Sequence, residues 1–530
     1  MQFVQAISVL SKSSSFAVST ESDRDNELSR IKSDLYVAMP IEKDLLALLE
    51  SIDQNTKKVI FLCGSSGDGK SELLLRAKQK YHTPYIKFHL DATHSFAPHD
   101  SAIDTLNKIF NEFEQGNHSL VIGINIGMLG NYAEEADSLK LRKILKDYLV
   151  KGEKTLHYDF INFEDYPKFK ITNDGYEAEF TSNLLAKVTD PSSLLYQLFL
   201  EYKKNNYLDK SEKILCTNYQ LLCDKKIQKV IVELLFKTRL FQNQFITARN
   251  FLDFIYEIIS GKGYLFDNLF SHSDNEIIEN LKKFDPALLR TKSIDRFIIE
   301  FELKNFSLEF KEIKKYVEES LTIEHLDNAI SYIRLFYILR LSALDDEYLN
   351  EFKEDFEDQL FNKYLDVYRL HKFYDVNTSK SFLKEFYSKD LVTALRSYIN
   401  RKSPYLENDE YLIAEFSTSQ IISKLKVNPD FIEIGNNAKQ QPCTNFNAFL
   451  KIGNLKLDLL VDINLFELLY KLKCGYRPSK SDRSVVVKLN IIINKILQLA
   501  NTSNFLSIKK DNVTLKLTLS EDNEIEVVGI

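Results

Sequence analysis

The stretch Gly64-Ser65-Ser66-Gly67-Asp68-Gly69-Lys70-Ser71 decides how this sequence is read. It fits G-x-x-x-x-G-K-[ST] without a mismatch, the spacing of a phosphate-binding P-loop. Before it, Lys58-Val59-Ile60-Phe61-Leu62-Cys63 is a short apolar run that reads as a buried strand. After it, Ser71-Glu72-Leu73-Leu74-Leu75-Arg76-Ala77-Lys78 is made of good helix formers. Strand, glycine-rich turn and helix start together aim backbone N–H groups and the positive end of a helix dipole at one point. In such a loop Lys70 reaches the β- and γ-phosphates and the Ser71 hydroxyl joins the Mg²⁺ shell. The expectation is a nucleoside triphosphate, ATP with Mg²⁺, held by Gly64, Ser65, Ser66, Gly67, Asp68, Gly69, Lys70, Ser71 and Glu72. The bland alternative is a glycine-rich turn that matches by chance.

Outward from the loop, residues 56–180 alternate strand and helix patterns, which predicts a parallel α/β nucleotide-binding domain of AAA-like type. Pro84 to Asp91 reads as a strand ending on a carboxylate, and Ala102 to Phe110 as a helix. Leu120 to Ile126 reads as a second buried strand, followed by a helix over Glu134 to Leu149 and a strand near Leu156 to Phe163. Residues 1–55 form a helical lead-in, with Phe3, Ala6, Ile7 and Leu10 on one face and a polar loop from Ser11 to Asp25. Residues 181–424 read as an all-α helical lid or middle region; one of its apolar faces, Phe251 to Ile259, is stopped by Gly261. Residues 425–530 read as a small α+β domain with a hairpin turning at Gly453-Asn454.

With 530 residues, about two to four domains are expected. Only 15 Gly and 10 Pro argue for long helices and few loops, and 37 Phe with 27 Tyr and no Trp put aromatic packing into the cores. A net charge of −7 makes the whole chain a poor electrostatic match for nucleic acid, so any such contact needs a local basic patch. Cys63, Cys216, Cys223, Cys443 and Cys474 form no C-x-x-C, which fits reduced thiols in a cytoplasmic protein. The N-terminus lacks the charge and apolar pattern of a signal peptide, and no run of about 18 uncharged apolar residues predicts a membrane span.

Further catalytic candidates follow from position. Asp91 ends the strand after the P-loop helix, where an acid would hold the metal; a helix-cap or turn aspartate is the alternative. Asn125 ends the next strand, where many AAA-type ATPases carry a polar residue sensing the γ-phosphate; a strand-end turn asparagine is the alternative. Arg249 opens a helix after the sheet and could reach the γ-phosphate from a lid, or sit in a surface salt bridge. Arg142 would suit a trans-acting finger if subunits form a ring, or a solvated helix face. His89, His94 and His99 lie five apart and do not align as zinc ligands. In the C-terminal domain, Gly475 to Arg483 brings Arg477, Lys480 and Arg483 together with Tyr476. Such a loop can grip a phosphate backbone and stack a base, or simply organise itself.

The P-loop, the Asp91-Ala92-Thr93 strand end, Ile124-Asn125-Ile126-Gly127, Asp285-Pro286-Ala287-Leu288-Leu289-Arg290 and Gly475-Tyr476-Arg477-Pro478 together resemble the DptF (DndF) family. These are components of the bacterial restriction system that depends on DNA phosphorothioation. The likeness runs over nearly the full length and implies an antiviral-defence ATPase acting with DptG and DptH subunits on unmodified DNA. His94 departs from the acidic residue such a motif leads one to expect. No nuclease-like acid cluster is visible. A homo-oligomer stays open, as do two other readings of the residues. One is a STAND-like switch that binds ATP and assembles with little turnover; the other is a small-molecule kinase.

Overall fold

The computed structural model describes residues 2–13, 27–81, 83–92, 101–153, 155–204, 208–324, 326–341, 347–503, 505–510, 513–519 and 524–529. Two compact units separate, one of Met1–Phe169 with Ala178–Phe356 and one of Lys170–Glu177 with Glu357–Ile530.

The first unit is built on a four-stranded parallel sheet. Its strands are β1 (Val59–Gly64), β2 (Ile86–His89), β3 (Ser119–Asn125) and β4 (Tyr158–Asn162), in the order β2-β3-β1-β4. β1 is buried at every position, as a central parallel strand covered on both faces must be. Its side chains alternate between two cores. Val59, Phe61 and Cys63 pack with Leu106, Phe110 and Leu141, while Ile60 and Leu62 pack with Leu45, Leu49, Leu73 and Leu74. The second set includes side chains of the Pro40–Glu50 helix. Phe3, Ala6, Ile7 and Leu10 are all buried at the chain start. From Glu179 to Lys353 the unit continues as helices.

One helix differs from its expected form. The segment read as a single helix from Glu134 to Leu149 is two, Ile126–Glu135 and Leu139–Lys151. The chain leaves helical geometry at Ala136, and Ser138 caps the second helix by accepting the Leu141 N–H. The Asn107 side chain fixes the corner, accepting from Tyr132 Oη at 3.1 Å and the Asp137 N–H at 3.2 Å.

The second unit begins with the two-residue strands β5 (Lys170–Ile171) and β6 (Tyr176–Glu177). Arg369 holds their turn through Thr172 O at 3.1 Å. Helices then precede β7 (Glu410–Glu415), β8 (Ser419–Lys424), β9 (Asn428–Pro429), β10 (Phe446–Ile452) and β11 (Leu455–Val461). β12 (Phe505–Lys510), β13 (Val513–Leu519) and β14 (Ile525–Gly529) follow. β10 and β11 form the hairpin expected around Gly453. β7 and β8 lie inside the stretch read as all helical. Their residues Tyr411, Leu412, Ile421 and Ile422 suit a half-buried strand, but the neighbour that completes the sheet, β12, is distant in the chain. The result is an antiparallel sheet in the order β14-β13-β12-β8-β7. Among the described residues, no helix is long and apolar enough to cross a membrane.

Candidate functional site

At the end of β1 the chain turns through Ser65 to Gly69 and enters the Lys70–Lys80 helix. Gly69 precedes that helix in the left-handed region, with φ 101°, and supplies no side-chain cap. The first helical bond runs from the Leu73 N–H to Gly69 O at 3.0 Å. Helix geometry therefore gives the amides of Lys70, Ser71 and Glu72 no carbonyl of their own, and the positive end of the dipole lies there. Gly67 is also left-handed, with φ 84°. A Cβ on it would stand 3.1 Å from the Arg249 Cβ and from the Thr247 Oγ1, so glycine is required twice over. Its carbonyl accepts the Arg249 N–H at 3.2 Å.

A cavity of about 430 Å³ opens at this helix end. Ser66 through Glu72 line it, and so do Asp91, Asn125 and Arg249, which come from three other segments. Among the described residues the cavity also has an apolar wall, from Leu35, Val37, Met39 and Ile41 ahead of β1 and from Phe180, Leu184 and Leu252. Tyr36 lies in that wall with its hydroxyl on Glu42 at 2.8 Å and the Arg76 guanidinium 3.7 Å from its ring centre. Arg76 in turn bonds Glu72 at 2.7 Å, one turn back on the same helix.

Lys70 bends over its own loop, donating to Gly64 O at 3.2 Å and Ser65 O at 2.7 Å. Burial lowers its pKa below the ordinary lysine value, while the carboxylates of Asp68 and Asp91 pull the other way. Asp91 is thus near enough for its charge to act on Lys70. It follows Leu90 beyond β2, where the chain is still held to β3 by the Ala92 N–H on Gly123 O at 2.9 Å. Asn125 pairs in register with Gly64, so β3 sets it beside the start of the loop. Its Oδ1 accepts the Met128 N–H at 2.6 Å and caps the Ile126–Glu135 helix. Cys63, on β1, is buried and its thiol pKa is pushed up to about 12.

An acidic side chain this little exposed needs a partner, and Asp68 has one that no local pattern announces. Lys168 donates to its Oδ1 at 2.8 Å, and Asp68 Oδ2 accepts the Ser65 N–H at 2.7 Å. Lys168, like the apolar wall, was not foreseen from sequence. The only hint was the odd placement of a carboxylate in a loop expected to receive an anion.

Other candidates lie elsewhere. Arg142 Nε donates to Ala136 O and so braces the corner between two helices. Thr93, His94 and His99 lie outside the described residues, among which no group of His, Cys, Asp and Glu could hold a metal by itself. The Gly475 to Arg483 loop belongs to the second unit. Asp482 organises it, accepting from Tyr476 Oη at 2.8 Å and the Ser479 N–H at 2.7 Å, while Arg477, Lys480 and Arg483 stand exposed.

Searches against family models, curated proteins and solved structures match nothing to this chain.

Proposed function

We propose that this cavity binds ATP with Mg²⁺ and that the chain is a P-loop ATPase. The observation that carries the reading is the convergence of Lys70, Ser71, Asp91, Asn125 and Arg249 on one cavity at an uncapped helix N-terminus. First-turn amides and Lys70 suit the phosphates, with Lys70 exchanging two carbonyls for phosphate oxygens. The apolar wall suits a base. Ser71 and Asp91 offer the hard oxygen ligands Mg²⁺ prefers, and the ion would supply charge neutralisation on the phosphates. With its Oδ1 engaged in the cap, Asn125 has its NH₂ to offer a γ-phosphate oxygen. Arg249 would add charge from the start of the Ala248–Ser260 helix.

By its likeness to the DptF family, the ATPase would serve a phosphorothioation-dependent restriction complex with DptG and DptH. DNA would be met through that complex or through the Arg477, Lys480 and Arg483 loop. A nucleotide-held switch with little turnover is a second reading, favoured by one feature. Asp91 is flanked by Leu90 and Ala92, with no glutamate adjoining it to orient water.

The test is nucleotide binding and hydrolysis by the protein and by Lys70→Ala, alone, with DNA and with the two partner subunits. Lys70→Ala should weaken binding by about 10- to 100-fold and end turnover. Failure of the unaltered protein to bind any nucleoside triphosphate would sink the reading. Tight binding without turnover under every condition would select the switch.

A further inference from the structure

Lys168 and Asp68 form an ion pair whose side chains are only 11% and 10% exposed. At that burial water screens little, so an unpaired Asp68 would oppose an anion arriving at the loop. Lys168 removes that opposition, and it does a second thing. The same ammonium donates to Ile246 O at 2.6 Å, immediately before the Thr247-Ala248-Arg249 corner. Its charge also lies over the Phe180 ring at 5.1 Å, which fixes the side chain's course. The corner is tied to the loop from its other side as well, by the Arg249 N–H on Gly67 O and by the close approach at Gly67.

We propose that Lys168 is a positioning residue that makes the phosphate loop and the Thr247-Ala248-Arg249 corner move as one body. Filling the loop then orders the start of the helix carrying Arg249. The inference rests on the nucleotide-binding reading above and adds to it a coupling between two segments far apart in sequence. One ammonium holds both the loop carboxylate and the Ile246 carbonyl, so neither segment shifts alone without breaking a bond nine-tenths out of water.

The experiment measures two things on the full chain: affinity for a fluorescent, non-hydrolysable ATP analogue with Mg²⁺, and hydrogen exchange across residues 245–252 with and without it. Neither readout depends on turnover. In the unaltered protein the analogue should slow exchange over 245–252. Lys168→Met should weaken binding by about tenfold or more, because it leaves Asp68 charged and unpaired. The double variant Asp68→Asn with Lys168→Met removes both charges and should bind more tightly than Lys168→Met does. It should nevertheless show weaker nucleotide-dependent protection of 245–252, because the link to Ile246 is gone and only the tie at Gly67 remains. Lys168→Arg should retain both properties. If Lys168→Met fails to fold, the double variant carries the test by itself.

A double variant that binds and still protects 245–252 as the unaltered protein does would overturn the coupling while leaving nucleotide binding intact. Unaltered protein that binds without protecting 245–252 would do the same. Unaltered protein that binds no nucleotide would remove the function and the coupling together.

Discussion

The two ends of the Asn125 amide do different work, and substitution can separate them. The oxygen accepts the Met128 N–H and caps a helix, which is a matter of stability. On the proposed nucleotide-binding reading the NH₂ is the end that would meet a phosphate, which is a matter of chemistry. Asn125→Asp keeps the capping oxygen and exchanges the donor for negative charge. Its urea-unfolding free energy should stay within about 0.5 kcal/mol of the parent, while ATP turnover falls by about tenfold or more. Asn125→Ala should lose turnover comparably and about 1 kcal/mol of stability as well. An aspartate variant with undiminished turnover would leave Asn125 a cap and nothing else. Lys70 and Asp68 show the same division at the loop. Both are held by internal bonds, and each of those bonds involves a group that a bound phosphate would compete for.

At the scale of elements, the Ala248–Ser260 helix is fixed at both ends. Its start is locked to the loop at Gly67, and its last carbonyls are taken by two buried asparagines. Asn218 Nδ2 donates to Ile259 O at 2.9 Å and Gly263 O at 3.0 Å, and its Oδ1 accepts the Leu265 N–H at 2.7 Å. Asn268 Nδ2 reaches Ile258 O at 3.0 Å. A Cβ on Gly261 would stand 2.6 Å from the Asn268 side chain, so the residue that stops the helix also admits its clamp. Asn218→Ala strands two buried backbone groups, Ile259 O and the Leu265 N–H, while Gly263 O keeps Asn268 Nδ2 at 2.8 Å, and should cost about 2 kcal/mol or more in urea unfolding of the first unit. A loss below about 1 kcal/mol would mean that water or a shifted chain replaces those bonds. This helix also shows what sequence discloses. Its apolar spacing at Phe251, Phe254, Ile255, Ile258 and Ile259 and its stop at Gly261 were readable, because helical period and glycine act locally. The β1 run and the loop were readable for the same reason. The corner at Ala136 was not, because it depends on Asn107 from another helix. The β7–β8 pair was missed because its sheet is completed by a distant strand, and Lys168 because a lone lysine carries no pattern.

The molecule as a whole divides its stability between two units with separate cores, and one of them contains a buried acid-sensitive group. His371 is fully buried in the second unit on the Gln359–Lys372 helix, stacked on Phe446 with ring centres 4.3 Å apart. Its Nδ1 lies 2.7 Å from Val367 O, a carbonyl that can only accept, so Nδ1 carries the proton. Nε2 then accepts from Tyr387 Oη at 3.0 Å, and Tyr387 Oη accepts the Phe449 N–H at 3.0 Å. Every member of that chain is satisfied with a neutral ring. Burial accordingly lowers the His371 pKa from 6.5 to about 4. The unfolded chain takes up a proton below pH 6.5 that the folded unit refuses until about pH 4. The stabilisation is therefore whole above pH 6.5 and drains away as the pH falls toward 4, by about 3 kcal/mol in all. Urea unfolding followed by far-UV circular dichroism should find the second unit about 2 kcal/mol weaker at pH 5 than at pH 7 from this group. Hydrogen exchange over residues 364–371 should accelerate in step, after correction for the intrinsic pH dependence of exchange. His371→Gln, which does not titrate, should start less stable but lose correspondingly less between those two pH values. Equal losses in parent and variant would show that His371 is protonated inside the folded unit, and that the hydrogen-bonded chain through Tyr387 rearranges to accept the charge.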